Sequence, residues 1–183
     1  PLEGLTTTRP PADRVRESSQ LLIDDRVTYN MTVDGRSVAR PWRLDPVPVV
    51  LAAEEWARVE AGLLQRSELL DLVLSDLYGR RELLSSGVLP PEVVFAHDGF
   101  IREADQIRLP TRHQLSHAAF DLGRDAAGDW VVISDRTQAP SGMGYAHENR
   151  VVVSRVLPDL YRDADVATMA SRPQGDTFCA TSV

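Results

Sequence analysis

The stretch Trp130-Val-Val-Ile-Ser-Asp-Arg-Thr-Gln-Ala-Pro-Ser-Gly-Met-Gly-Tyr-Ala-His-Glu-Asn-Arg150 decides how this chain is read. An apolar, β-branched run gives way to a Pro/Ser/Gly loop and then to a helix. Backbone amides at such a strand-to-helix turn point at whatever sits above the sheet edge, so the turn can hold an anion. Asp121, Asp135, Arg136, Tyr145, Glu148, Asn149 and Arg150 gather around it, more polar groups than a plain turn requires. Function is expected here.

Working back from Trp130, residues 114–122 read as a second strand, and the glycines and aspartates of 123–129 suit a turn between the two. Side chains two apart on a strand share a face. That rule puts Asp121 with His117 and Ala119, and Phe120 with Leu122 on the opposite side. It puts Ser134 and Arg136 with Val132, and Ile133 with Asp135 opposite. An antiparallel pairing that sets Asp121 near Ser134 and Arg136 makes one polar cluster, which serves equally as a hairpin ion pair or as part of a binding site. In the loop, Ser141 either caps the following helix or joins Gly142 and Gly144 in a ligand-binding turn that uses positive φ. Glu148 and Arg150 fit an ordinary solvated helix face.

Further out, residues 1–26 form an N-terminal arm, helical from about Pro11, and residues 27–162 form the body. Val27 to Val33, the Asp34-Gly35 turn and Ser37 to Ala39 make a hairpin. The proline-rich connector Arg40-Pro-Trp-Arg-Leu-Asp-Pro-Val-Pro48 follows, with Trp42 as its anchor. Trp56, Val59, Leu63, Leu70, Val73, Leu74 and Leu77 recur at three- and four-residue spacing, which predicts an amphipathic helix over about 52–78. Gly62 is where it would bend, and Gly79 ends it as a left-handed residue. Short helices follow, one ending at Gly87 and one starting at Pro90-Pro91. Residues 145–160 read as one helix with Pro158 near its end, and 163–183 as a loose tail. The expected class is α/β (α+β), a mixed or antiparallel sheet with a hairpin and flanking helices.

The 183 residues suit one domain with a flanking arm. A net charge of -7 argues against nucleic acid and membrane surfaces as partners. All 20 basic residues are arginine, so Walker-type NTPase and lysine-imine chemistry are excluded for this polypeptide alone. The single Cys179 permits neither an intrachain disulfide nor a cysteine zinc set, and no run is apolar enough to span a bilayer, so a cytoplasmic location is expected. The four histidines show no metal-binding spacing, and there is no GxSxG or GxGxxG. The opening at Pro1 without an initiator Met suggests a trimmed chain.

Val27-Thr-Tyr-Asn30, Arg40 to Pro48, Glu55-Trp56, Glu60-Ala-Gly-Leu-Leu-Gln-Arg66, Asp76-Leu-Tyr-Gly79, Gly87-Val-Leu-Pro-Pro91 and Asp135 to Arg150 occur in that order. Through them the chain resembles the circularly permuted type 2 ATP-grasp proteins, over roughly 27–161. The resemblance implies an ATP-dependent ligase that activates a carboxylate as an acyl phosphate and passes it to an amine, with magnesium neutralising the phosphates. Asp121 falls at the first acidic metal position, Ser134 and Arg136 at a Glu and an Asn position, and Pro140-Ser141-Gly142 at the substrate loop. Serine for a carboxylate and arginine for a neutral amide both work against a divalent cation there.

On this resemblance, Asp121 and Asp135 are the metal candidates, and Arg136 and Arg150 are the catalytic candidates, holding phosphate or carboxylate. Ser141 and Gly142 offer backbone donors, and Tyr145, Glu148 and Asn149 shape the acceptor pocket. The segment is expected to be only the leading part of a larger ATP-grasp unit. The remainder of that domain, with its nucleotide lobe, would lie beyond Val183, and this fragment alone would bind neither ATP nor Mg. The alternative is a catalytically degenerate segment kept as a binding or assembly module.

Overall fold

The computed structural model describes residues 10–166. Proline at the first helical position presets φ and forfeits only a donor that has no partner there, and three of the helices open this way. In chain order come α1 (Pro11–Asp24), β1 (Thr28–Val33), β2 (Arg36–Pro41), α2 (Ala53–Leu77), α3 (Glu82–Ser85) and α4 (Pro91–Phe95). A 3-10 turn (Arg102–Ala104), β3 (Ala119–Arg124), β4 (Trp130–Arg136), α5 (Met143–Val156) and α6 (Pro158–Asp163) follow. Among the described residues the strands form two separate antiparallel hairpins, β1 with β2 and β3 with β4, so the class is α+β. The tail expected over 163–183 lies, from 167 on, outside the described residues. No helix of the described residues is long and apolar enough to cross a membrane.

The chain divides into two units. Among the described residues, one joins residues 10–51 to residues 141–166, and its core is Leu22, Val152, Val156 and Leu157, with Val27, Trp42, Leu44 and Leu160 against it. Arg14, Ser18 and Leu22, four apart, are the buried stripe of α1. The helix ends in a Schellman motif: Arg26 takes φ 56, its N–H reaches the Ile23 carbonyl, and the Val27 N–H reaches Leu22. The β1–β2 turn forms as expected, with Asp34 (φ 50) and Gly35 (φ 73) both left-handed. The single helix expected over 145–160 is instead two. Leu157 leaves helical geometry at φ -129, ψ 55, because Pro158 disfavours the helical region for its predecessor and starts α6.

The other unit spans Ala52 to Pro140 among the described residues. Here α2 buries Leu63, Ser67 and Asp71. Leu63 joins Leu115, Ala118 and Phe120 in the core, with Val59, Leu70, Leu74, Leu122 and Val132 around them. Gly62 stays within the helix. Gly79 does not supply the left-handed residue; Arg81 does, at φ 59. A Cβ on Gly79 would stand 2.6 Å from the Ser75 carbonyl oxygen, so that position needs glycine for room rather than for handedness. Gly87 (φ 75) closes α3 as anticipated.

Residues 114–118 are not strand, and Asp71 takes the backbone donors of the first two. Its Oδ1 accepts from the Gln114 N–H at 2.6 Å and the Leu115 N–H at 2.7 Å. β3 begins at Ala119, and His117 shares no strand face with Asp121. The turn is Asp125 to Asp129, where Asp125 Oδ1 accepts from the N–H groups of Ala127 and Asp129.

Candidate functional site

The β3–β4 hairpin positions the polar cluster, and a β-bulge sets its faces. Phe120 pairs with Asp135 and Asp121 with Ser134, but Leu122 pairs with Val132, so Ile133 is the extra residue. Strict alternation put Val132 with Ser134 and Arg136; the bulge overturns this. Val132 packs on the core under α2, and Asp135 also faces α2 through Arg66. Ser134 and Arg136 stand with Asp121 on the far side. Ile133 is left 69% exposed.

On that far side Asp121 Oδ2 accepts three hydrogen bonds. They come from Ser134 Oγ at 2.5 Å and from Arg136 Nε and an Arg136 terminal nitrogen at 3.0 and 2.9 Å. Hydrogen bonding by Ser134, then by Arg136, holds the Asp121 carboxyl below the ordinary carboxylate range. Its folded value thus lies under its unfolded one. The stability this supplies is complete above the unfolded value and lost as pH falls through the folded one. Asp121→Asn should therefore flatten the acid limb of a melting-temperature profile and leave a smaller change near neutral pH. An unaltered acid limb would count against the cluster. The Arg136 side chain is 65% exposed, which keeps the effect modest and the guanidinium accessible.

On the α2 side, Asp135 is gripped by a guanidinium fork, Arg66 Nε to Oδ1 at 2.6 Å and a terminal nitrogen to Oδ2 at 2.8 Å. The hairpin thus separates the two aspartates considered as metal ligands, each holding its own arginine. Among the described residues no group of three or more His, Cys, Asp or Glu could hold a metal ion. Near the hairpin turn, Glu55 accepts from Trp130 Nε1 at 2.7 Å and from Arg124, whose guanidinium lies 4.3 Å from the Trp130 ring centre. The Trp130 hydrogen bond leads the causes that lower the Glu55 pKa. Beside this trio runs an open groove of about 830 Å³ between α2 and the hairpin, lined by Arg58, Arg66, Leu69 and Trp130 among others.

The loop after β4 departs from expectation. Its left-handed residue is Ala139 (φ 44), and neither Gly142 nor Gly144 takes positive φ. Gly142 is the N-cap of α5, with no side-chain cap, so Ser141 does not cap the helix and is exposed. Tyr145 stacks on Trp42 at 4.4 Å between ring centres, and its hydroxyl donates to the Thr28 carbonyl at 2.8 Å. Asn149 Oδ1 accepts from Trp42 Nε1 at 2.8 Å. Both hold the Trp42 connector down. Arg150 Nε reaches the Tyr161 hydroxyl at 3.3 Å, and Glu148 is half-buried. Asp121, Ser134 and Arg136 thus meet in one unit, while Ser141, Gly142, Tyr145, Glu148, Asn149 and Arg150 belong to the other.

Sequence reasoning missed Arg66, Glu55 and Asp71. Asp71 carried a signal: it continues the four-residue spacing of Leu63 and Ser67 along the buried stripe of α2, where a carboxylate needs donors. Arg66 and Glu55 carried none, since their partners lie 69 or more residues away.

The family model for circularly permuted ATP-grasp type 2 matches residues 48–175. An uncharacterized protein of Mycobacterium tuberculosis is 48% identical over 170 residues, which cover 88% of this chain and 19% of that protein. One of Mycobacterium leprae is 34% identical over 167 residues, 88% of this chain and 29% of that protein. One of Synechocystis is 32% identical over 158 residues, 86% and 33%. The chain spans about a fifth to a third of the length of these curated relatives.

Proposed function

Because the chain belongs to the circularly permuted ATP-grasp type 2 family, we propose that it is the leading part of an ATP-dependent ligase-like enzyme joining a carboxylate to an amine through an acyl phosphate. One observation carries the reading: Asp121, Ser134 and Arg136 converge on the open face of β3–β4, presenting an oriented, accessible guanidinium. A guanidinium keeps its charge and forms paired hydrogen bonds to phosphate or carboxylate. Arg136 is the group that meets the anionic substrate, and Asp121 and Ser134 aim it; Arg150, in the other unit, is a separate anion-holding candidate. Within its own unit, the uncapped first turn of α5, at Ser141 and Gly142, leaves backbone donors of the kind that suit an anion. Tyr145 and Asn149 act through the Trp42 connector.

ATP, when bound, supplies the phosphoryl group that activates the carboxylate. The described residues do not fit magnesium. Asp121 Oδ2 takes three hydrogen bonds, two from a permanent cation that stands beside the carboxylate, and no group of three or more acidic, His or Cys residues assembles there. In this reading the metal and the nucleotide lobe belong to the remainder of the ATP-grasp domain, and residues 1–183 alone do not turn over ATP.

Titration of Mg-ATP into the longer protein tests this. Arg136→Ala should weaken binding about 10- to 100-fold, the scale of a lost charged hydrogen bond. Unchanged affinity and turnover would remove Arg136 from the site. The alternative, a degenerate segment serving as a binding or assembly module, is favoured by the same engagement of Asp121 Oδ2 by Ser134 and Arg136. A natural protein that binds no nucleotide, but gains binding with Ser134→Glu and Arg136→Asn together, would establish the module reading instead.

A further inference from the structure

The Asp121 cluster depends on β4 keeping its register past the bulge, where only three pairs remain: Asp121 with Ser134, Phe120 with Asp135, and Ala119 with Arg136. A slip of one residue would turn Ser134 and Arg136 toward α2 and Asp135 outward. Backbone pairing of this length is a weak restraint, and a second restraint is present. Asp135 stands between Ser134 and Arg136 in sequence and points the other way, into the Arg66 fork. Arg66 lies one turn beyond Leu63 on α2, and Leu63 shares a core with Phe120, the β3 partner of Asp135. The fork fixes the plane of the carboxylate as well as its distance.

We propose that Arg66 is a positioning residue for the Asp121–Ser134–Arg136 cluster, clamping β4 from the opposite face of the hairpin. Its functional meaning rests on the reading of that cluster as the anion-facing one, but the clamp itself is measurable without any ligand. The groups facing Asp121 are Ser134 and Arg136 on β4, and those on the reverse side are Asp135 and, from α2, Arg66.

The test is a carboxyl-carbon NMR titration of Asp121 in the 183-residue chain, with no nucleotide present. In the unsubstituted chain Asp121 should titrate below the ordinary range. Asp135→Asn is nearly isosteric and weakens the clamp, so the Asp121 titration should shift upward as Arg136 and Ser134 lose their alignment. Field effects alone predict the opposite sign, because the change deletes a neighbouring negative charge. Arg66→Lys, which keeps the charge and loses the fork, should also shift it upward. Arg66→Asp combined with Asp135→Arg should return it toward the starting value.

An Asp121 titration that is unmoved or moved downward in folded Asp135→Asn overturns the proposal, as does an ordinary titration in the unsubstituted chain. Nucleotide binding by the longer protein that ignores Arg136 would instead sink the ligase reading and leave the clamp standing.

Discussion

Asp71→Ala should lower the unfolding free energy by about 2 to 4 kcal/mol, because it leaves buried backbone donors without an acceptor. Asp71 is 8% exposed, and one of its oxygens serves both the Gln114 and Leu115 N–H groups. Its other oxygen lies 3.2 Å from His113 Nδ1. Alanine removes the acceptor and opens a void where water has little access, beside Leu115 in the core. Asp71→Asn keeps an amide oxygen that can serve the same two donors, and should cost about 1 kcal/mol, the scale of one ordinary hydrogen bond. Urea unfolding at neutral pH measures both. A loss for alanine no greater than for asparagine would mean that segment 113–118 finds its donors another partner.

The second large effect is in the other unit. Trp42→Ala should cost about 2 to 4 kcal/mol, somewhat under the range for a fully buried aromatic because the indole is half-buried. Trp42 packs against the Leu22 and Val152 core, stacks on Tyr145, meets Tyr29 edge-on and donates to Asn149. Trp42→Phe retains most of the ring contact and strands the Asn149 acceptor, so about 1 kcal/mol is expected. The difference between the two variants separates packing from polar anchoring. Thermal or urea unfolding followed by far-ultraviolet circular dichroism, rather than by tryptophan emission, keeps the comparison fair. Equal losses would assign the whole contribution to the indole N–H.

These effects mark where the sequence was legible. The Asp34-Gly35 turn and the α2 periodicity were readable because each depends on neighbours in the chain. The pairing of Asp121 with Ser134 and Arg136 was readable for a similar reason, since a short hairpin leaves few registers. What escaped was set by distant atoms or by local exceptions to a rule. The bulge at Ile133 reverses a parity argument that treats every strand residue alike, and nothing in Val-Val-Ile-Ser announces it. The strand expected over 114–118 does not start there, where a carboxylate from α2 captures the amides of Gln114 and Leu115. Gly79 was credited with a left-handed turn that Arg81 makes instead. The hydrogen bonds of Tyr145 to Thr28 and of Asn149 to Trp42 also reach more than a hundred residues back, beyond what local spacing signals.

The extra residue of β4 also bears on how chain length can vary in this hairpin. With Ile133 present, Val132 and Asp135 already look toward α2 while Ser134 and Arg136 look away. Take it out, and plain alternation returns every one of those residues to the side it occupies now. Position 133 is therefore a place where a codon can be gained or lost without inverting the chemistry on either surface.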